Sequence, residues 1–222
     1  MDRARAVIFD FDGVIADTED LHFTTFAASL AAIEIHVTRE EADQHYLGLT
    51  DRAAFEKAFR EAGRPLDEQG TLALIDDKGG RYQKAIAEIE LFPGAAELIR
   101  ATSATVPLGI ASSGLRDDID PVLRRHALRD AFRFLVTADD GIASKPDPAL
   151  YLRALTLLRT AELAGLLPQD CLVIEDSPRG IEAAKRAGMR CVAVRHTCAD
   201  DQLSHADRVV SSLVELVDEW TA

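Results

Sequence analysis

Asp10 and Asp12, in the run Asp10-Phe11-Asp12-Gly13-Val14, carry the strongest chemical signal in the chain. They close a short apolar segment, and two carboxylates two positions apart on an extended backbone face the same side. Gly13 lets the chain turn sharply behind them. Beside a divalent cation, one such carboxylate can attack phosphorus while its neighbour moves protons. A strand end turning into solvent is one competing reading and a calcium loop is another. The calcium loop needs a third ligand before its glycine and a glutamate further on, and here Gly13 comes too early.

A second acidic pair, Glu175-Asp176, closes another apolar run. Oxygen donors without clustered histidine or cysteine point to Mg²⁺ rather than zinc. Ser112, Ser113 and Gly114 end the run Val106 to Ala111 and offer hydroxyls and amides to phosphate oxygens. Lys145, in Ser144-Lys145-Pro146-Asp147-Pro148, stands before a helix start, where its charge can neutralise phosphate. Each has a plain alternative as a cap, a turn or a solvated lysine. Together they put acid, hydroxyl, cation and acid at successive strand ends.

The elements that must position these groups are legible in the apolar pattern. Residues Ala6 to Phe9, Val106 to Ala111, Phe134 to Val136, Leu172 to Ile174 and Cys191 to Val194 read as buried parallel strands. Arg208 to Val210 adds a short last one, and Pro107 suits only a strand start. Asp120-Pro121, Asp147-Pro148 and Ser177-Pro178 each set a capping side chain before a first-turn proline, and Gly188 supplies a stop. This alternation predicts an α/β fold with a doubly wound, parallel, Rossmann-like sheet, whose ligands gather at the carboxyl ends of the strands.

Between Asp17 and Glu90 the pattern is helical only. Phe23, Phe26, Ala27, Leu30 and Ile33 share one helical face. Thr38 to Glu41 spells a capping box, Thr50 is placed to cap the helix holding Phe55 and Phe59, and Gly48 and Gly63 mark ends. The expected organisation is a catalytic core of residues 1–16 and 91–222 with a helical cap, residues 17–90, inserted after the first strand.

Bulk properties narrow the partners. With 25 basic and 38 acidic residues the formal net charge is −13, which repels polyanions and argues against nucleic acid or an anionic membrane surface. A small anionic substrate remains compatible, because a few local cations outvote the global field inside a cleft. No apolar run approaches the roughly 20 residues of a membrane helix. Cys171, Cys191 and Cys198 are too few for a disulfide framework. The amino end has no signal-peptide pattern, so a cytoplasmic protein is expected.

Four motifs in order, DFDGV at Asp10 to Val14, ASSG ending at Gly114, the lysine of SKPDP, and VIEDSPRGIEAAKRAG from Val173 to Gly188, resemble those of the haloacid dehalogenase (HAD) superfamily. The branch is the one with an inserted helical cap that holds β-phosphoglucomutase and phosphoglycolate phosphatase. The likeness spans essentially the whole chain; its first and fourth motifs are specific, its second and third weak outside this company. It implies that Asp10 is the nucleophile that becomes an aspartyl-phosphate and that Asp12 is the acid/base. A carboxylate at that place separates phosphatases and mutases from dehalogenases. Ser112 and Lys145 resemble the phosphate binders, with the amides of Asp12 and Ser113 helping. Asp10, the Asp12 carbonyl and Asp176 resemble the Mg²⁺ ligands, with Glu175 a ligand or the partner behind them.

The inserted helices resemble a mobile cap that excludes water and selects the substrate. His22 sits where related sugar-phosphate enzymes carry a histidine, and Arg52 is a candidate for meeting a substrate anion. β-Phosphoglucomutase-like enzymes usually show Gly-x-Ser-Arg in the cap, but here Asp51 takes the arginine's place and Arg52 follows it. The expected function is a Mg²⁺-dependent phosphatase of a small phosphorylated metabolite, working as a monomer with oligomers left open. The alternatives are a phosphomutase and a non-catalytic HAD-fold binding protein.

Overall fold

Apolar runs form the six strands β1 (Ala6–Phe9), β2 (Leu108–Ala111), β3 (Phe132–Val136), β4 (Cys171–Glu175), β5 (Arg190–Val194) and β6 (Arg208–Val210). The computed structural model describes residues 4–46, 49, 51–86, 88–159 and 163–221. All strand pairs are parallel, in the order β3-β2-β1-β4-β5-β6. Every residue of β1, β2 and β4 is buried, which is why these strands read as unbroken apolar runs rather than alternating ones. The direction of winding reverses between β1 and β4, and a sheet of this order opens its ligand crevice there, at the carboxyl edge.

The chain divides into two units, Met1–Asp17 with Ile89–Ala222, and Thr18–Glu88. The second is helical: α1 (Glu19–Ala31), α2 (Arg39–His45), α3 (Asp51–Glu61) and α4 (Glu68–Ile86). The Thr38–Glu41 capping box forms as the spacing predicts, whereas Thr50 and Gly48 lie outside the described residues. Phe26, Leu30, Phe55 and Phe59 make the core. Of the expected row, Phe26 and Leu30 are buried on α1 and Ile33, past its end, packs on the core, whereas Phe23 and Ala27 are only partly buried and Thr25 and Ser29 are buried in their stead. The two hydroxyls donate to carbonyls one turn back, Thr25 to Leu21 at 2.7 Å and Ser29 to Thr25 at 3.1 Å. Their polarity is thereby satisfied inside the helix, and burial becomes tolerable.

Around the sheet stand α5 (Ala95–Ser103), α6 (Arg116–Arg125), α7 (Ala149–Leu158), α8 (Pro178–Arg186), α9 (Asp200–Leu203) and α10 (Leu213–Thr221). Leu150, Ala154 and Leu158 of α7 and Ile181 and Ala184 of α8 pack with Ala6, Ile8, Val173 and Cys191 on one face. Ser177 caps α8 with its hydroxyl on the Gly180 N–H, Pro178 takes the first turn, and Gly188 ends it at φ 76°, as predicted. The expected start at Asp120-Pro121 is wrong. Helix α6 begins at Arg116, and Pro121 lies inside it. Its first N–H donates to Asp139 Oδ2 at 2.7 Å, so the helix start is satisfied from a distant loop. Asp120 instead pairs with Arg124 and Arg129.

Two backbone contacts tie the segments that leave and re-enter the sheet unit. Ala16 bridges Leu91 in antiparallel fashion, and the Phe92 N–H donates to the Ile15 carbonyl at 2.9 Å.

Candidate active site

The carboxyl ends of β1, β2 and β4, with the loop after β3, bring Asp10, Asp12, Ser112, Lys145, Glu175 and Asp176 together. Backbone bonds place the first acid, since the Asp10 N–H donates to the Ile174 carbonyl at 2.9 Å. Its Oδ1 accepts from the Phe11 N–H at 2.8 Å and from Lys145 Nζ at 2.9 Å. Lys145 is 6 % exposed and reaches Glu175 Oε1 at 2.7 Å with the same ammonium. Ser112, fully buried, donates to Asp12 Oδ2 at 3.1 Å and accepts from the Gly114 N–H at 2.9 Å. Ser113 is exposed beside it.

Glu175 is held on both oxygens. Oε1 accepts from Lys145 and from the Tyr151 hydroxyl at 2.7 Å, while Oε2 accepts from the Asp176 N–H at 3.0 Å and the Ser177 hydroxyl at 3.0 Å. A Cβ on Gly180 would overlap the Glu175 carboxylate, so the first turn of α8 can approach only as glycine. The Lys145 carbonyl accepts from Arg179 at 2.6 Å. Asp176 accepts from the Thr197 hydroxyl.

Asp10, Glu175 and Asp176 offer carboxylate oxygens within 4.8 Å of one another. At that spacing each like-charged pair repels by roughly 3 kcal/mol at an effective dielectric near 20. Burial pushes the Asp10 carboxyl well above its usual range against the pull of Lys145, and Glu175, Asp176 and Asp12 push the same way. Burial, then Glu175, raises Asp176 to about 7. Burial disfavours the Lys145 ammonium, yet Asp10 and Glu175 outweigh it and hold its pKa above the ordinary range. Burial likewise pushes Glu175 up, but Lys145 pulls it below its usual value. A single ammonium among three buried carboxylates leaves an excess of negative charge, which raises Asp10 and Asp176 and which a further cation would offset. An all-oxygen, electron-rich, buried donor set of this kind fits a hard divalent ion.

Sequence reasoning passed over Tyr151, Arg179 and Thr197. Thr197 alone had a signal, its place just past the end of β5 at the same sheet edge. Tyr151 was concealed as an apolar position of α7, where it is fully buried.

The other two candidates lie in the helical unit. His22 stacks on Tyr82 with centroids 4.6 Å apart. It lines a cavity of about 280 Å³ together with Phe23, Arg39, Tyr46, Asp51 and Lys78. Lys78, buried, pairs with Asp51. Arg52 does not line that cavity; it forms a bidentate pair with Glu68 at 2.7 and 2.9 Å.

Comparison with known proteins gives a consistent result. The family model of haloacid dehalogenase-like hydrolases matches residues 7–194. The β-phosphoglucomutase of Bacillus subtilis is 32 % identical over 227 residues, covering 97 % of this chain and 95 % of the relative. The validoxylamine A 7′-phosphate phosphatase of Streptomyces hygroscopicus is 37 % identical over 124 residues, 55 % of each chain. Among solved structures, a variant of CbbY from Rhodobacter sphaeroides in complex with xylulose-(1,5)bisphosphate superposes with TM-score 0.77 at 27 % identity, covering 96 % of each chain.

Proposed function

Because the chain belongs to the haloacid dehalogenase-like hydrolases, we propose that it is a Mg²⁺-dependent phosphatase of a small phosphorylated metabolite such as a sugar phosphate, with residues 18–88 as its specificity-bearing cap. The observation that carries this reading is the Lys145 ammonium shared between Asp10 and Glu175, beside an Asp12 steadied by Ser112. A carboxylate of Asp10 forms a bond to phosphorus as the ester P–O bond breaks, and Asp12 gives its proton to the departing oxygen. Asp12 then takes a proton from the water that attacks the aspartyl-phosphate, releasing inorganic phosphate and restoring Asp10. Ser112, the Ser113 amide and Lys145 hold the phosphoryl oxygens. Asp10, the Asp12 carbonyl and Asp176, with Glu175 beside them, would hold Mg²⁺, which offsets the charge of carboxylates and phosphate. Purified protein is expected to hydrolyse an aryl phosphate with Mg²⁺ and to lose that activity in excess chelator. Full activity in chelator would sink the metal assignment.

Metal and proton should compete. Asp176, near 7 when folded against 3.8 otherwise, favours the metal-free fold at low pH, and that contribution is lost as pH rises through about 7. Asp10, raised as well, has the same sign. The melting temperature gained from saturating Mg²⁺ should therefore be larger at about pH 8 than at about pH 5.5. An equal or inverted gain in differential scanning fluorimetry would contradict the charge count.

The mutase reading has the B. subtilis relative in its favour. Against it stands Asp51, which takes the place of the cap arginine usual in mutase-like chains and is itself paired with Lys78. Release of inorganic phosphate from glucose 1-phosphate, against conversion to glucose 6-phosphate, separates the two. Substitution of His22, which lines the cavity, is expected to reorder a panel of phosphorylated sugars, glycolate, glycerol and nucleotides by roughly tenfold or more, with little effect on a small aryl phosphate, whereas substitution of Arg52, held by Glu68 outside that cavity, should leave the ranking unchanged. Uniform losses in the His22 variant would place that residue in the general machinery or in folding.

A further inference from the structure

The loop that follows β5 carries two side chains that reach both acid-bearing loops. Thr197 donates its hydroxyl to Asp176 Oδ2 and lies 3.3 Å from the Asp176 carbonyl. His196 Nδ1 lies 2.9 Å from the Gly13 carbonyl; a carbonyl only accepts, so Nδ1 carries the proton. The same ring stacks on Phe92 with centroids 3.8 Å apart and planes 18° from parallel. Gly13 itself sits at φ 72°, and a Cβ there would overlap Asp176 Oδ2 and press on the Thr197 methyl. The Gly13 turn, Asp176 and Thr197 therefore interlock without spare room.

We propose that Thr197 is the positioning residue of the metal-facing Asp176, delivered to it by a loop that His196 pins to the Gly13 turn. Asp176 has one rotatable carboxylate, and Glu175 and Asp12 repel it. A donor on Oδ2 fixes the torsion and leaves Oδ1 as the oxygen presented to a cation. The His196 ring, wedged between the Gly13 carbonyl and Phe92, sets where residue 197 stands. It also steadies the turn whose preceding carbonyl, that of Asp12, is the expected third oxygen ligand. Partners of this kind typically change metal affinity by about 10- to 100-fold when removed.

This inference rests on the reading of the acid cluster as a Mg²⁺ site, and its test keeps the two apart. Mg²⁺ binding to the full chain is measured by isothermal titration calorimetry for the native protein, Thr197→Val and Thr197→Ser, with melting temperatures in chelator for all three. The valine keeps the shape and removes the hydroxyl; the serine keeps the hydroxyl and trims the methyl. The expected result is a Kd about 10- to 100-fold weaker for Thr197→Val, recovery to near the native Kd in Thr197→Ser, and similar melting in chelator. His196→Phe, which keeps the stack and loses the Nδ1–H, should weaken binding less, and adding Thr197→Val to it should cost less than in the native chain. A native Kd in Thr197→Val overturns the proposal, as does equal weakening in the valine and serine variants. If the native chain itself binds no Mg²⁺, the reading of the cluster falls and takes the proposal with it.

Discussion

Replacing Asp10 by asparagine is expected to abolish turnover and phosphoenzyme formation together, with a loss on the order of 10⁵ to 10⁶ in kcat, the scale seen when a covalent nucleophile is removed. An amide cannot attack phosphorus as a carboxylate does. The variant should nevertheless fold. It removes one charge from a buried cluster in which Asp10 is already pushed toward its neutral form, and Lys145 keeps its bond to Glu175. Its melting temperature in chelator should therefore equal or exceed that of the native chain at about pH 8. Normal turnover in Asp10→Asn would overturn the mechanism.

Asp12→Asn should be nearly inactive for a different reason. It keeps the nucleophile, yet it can neither protonate the leaving oxygen nor deprotonate the attacking water, and loss of such a group costs about 10² to 10⁴ in rate. With a good leaving group such as nitrophenolate, protonation matters less, so the first half-reaction should still proceed slowly. The second half should stall, leaving phosphate on Asp10 that mass spectrometry of a rapidly quenched sample can locate. Ser112, which donates to Asp12 Oδ2, can donate equally to an amide oxygen, so the side chain should stay in place. A covalent phosphate on Ser112 would instead make that hydroxyl the nucleophile.

How much of this was legible in the chain follows from the reach of each interaction. The strands were readable because a parallel sheet covered on both faces demands continuous apolar runs, and β1 and β6 fall at the bounds the sequence suggests. The acids were readable because each stands at a strand end. Helix α6 was misplaced because Leu115 at its start offers no capping side chain and the acceptor of its first N–H, Asp139, is 23 positions away, and local spacing cannot show a donor satisfied from that distance. Tyr151 and Lys78 escaped for a related reason. Each meets its acid across a tertiary contact, Glu175 in one case and Asp51 in the other, and both sit in stretches whose local pattern is simply helical. Arg52 reads as available in sequence, yet Glu68, 16 positions on, engages its guanidinium.

The antiparallel stitch of Ala16 to Leu91, with Phe92 bonded to Ile15, makes the whole helical insertion a loop on a closed stem. The two ends of residues 18–88 leave the sheet unit side by side, so the sheet's own hydrogen bonds and order are indifferent to what lies beyond the stem. Such joints are where chains accept insertions and exchanges. An exchange of residues 18–88 beyond the stem would leave the backbone bonds that hold the aspartates and the lysine at the sheet edge in place.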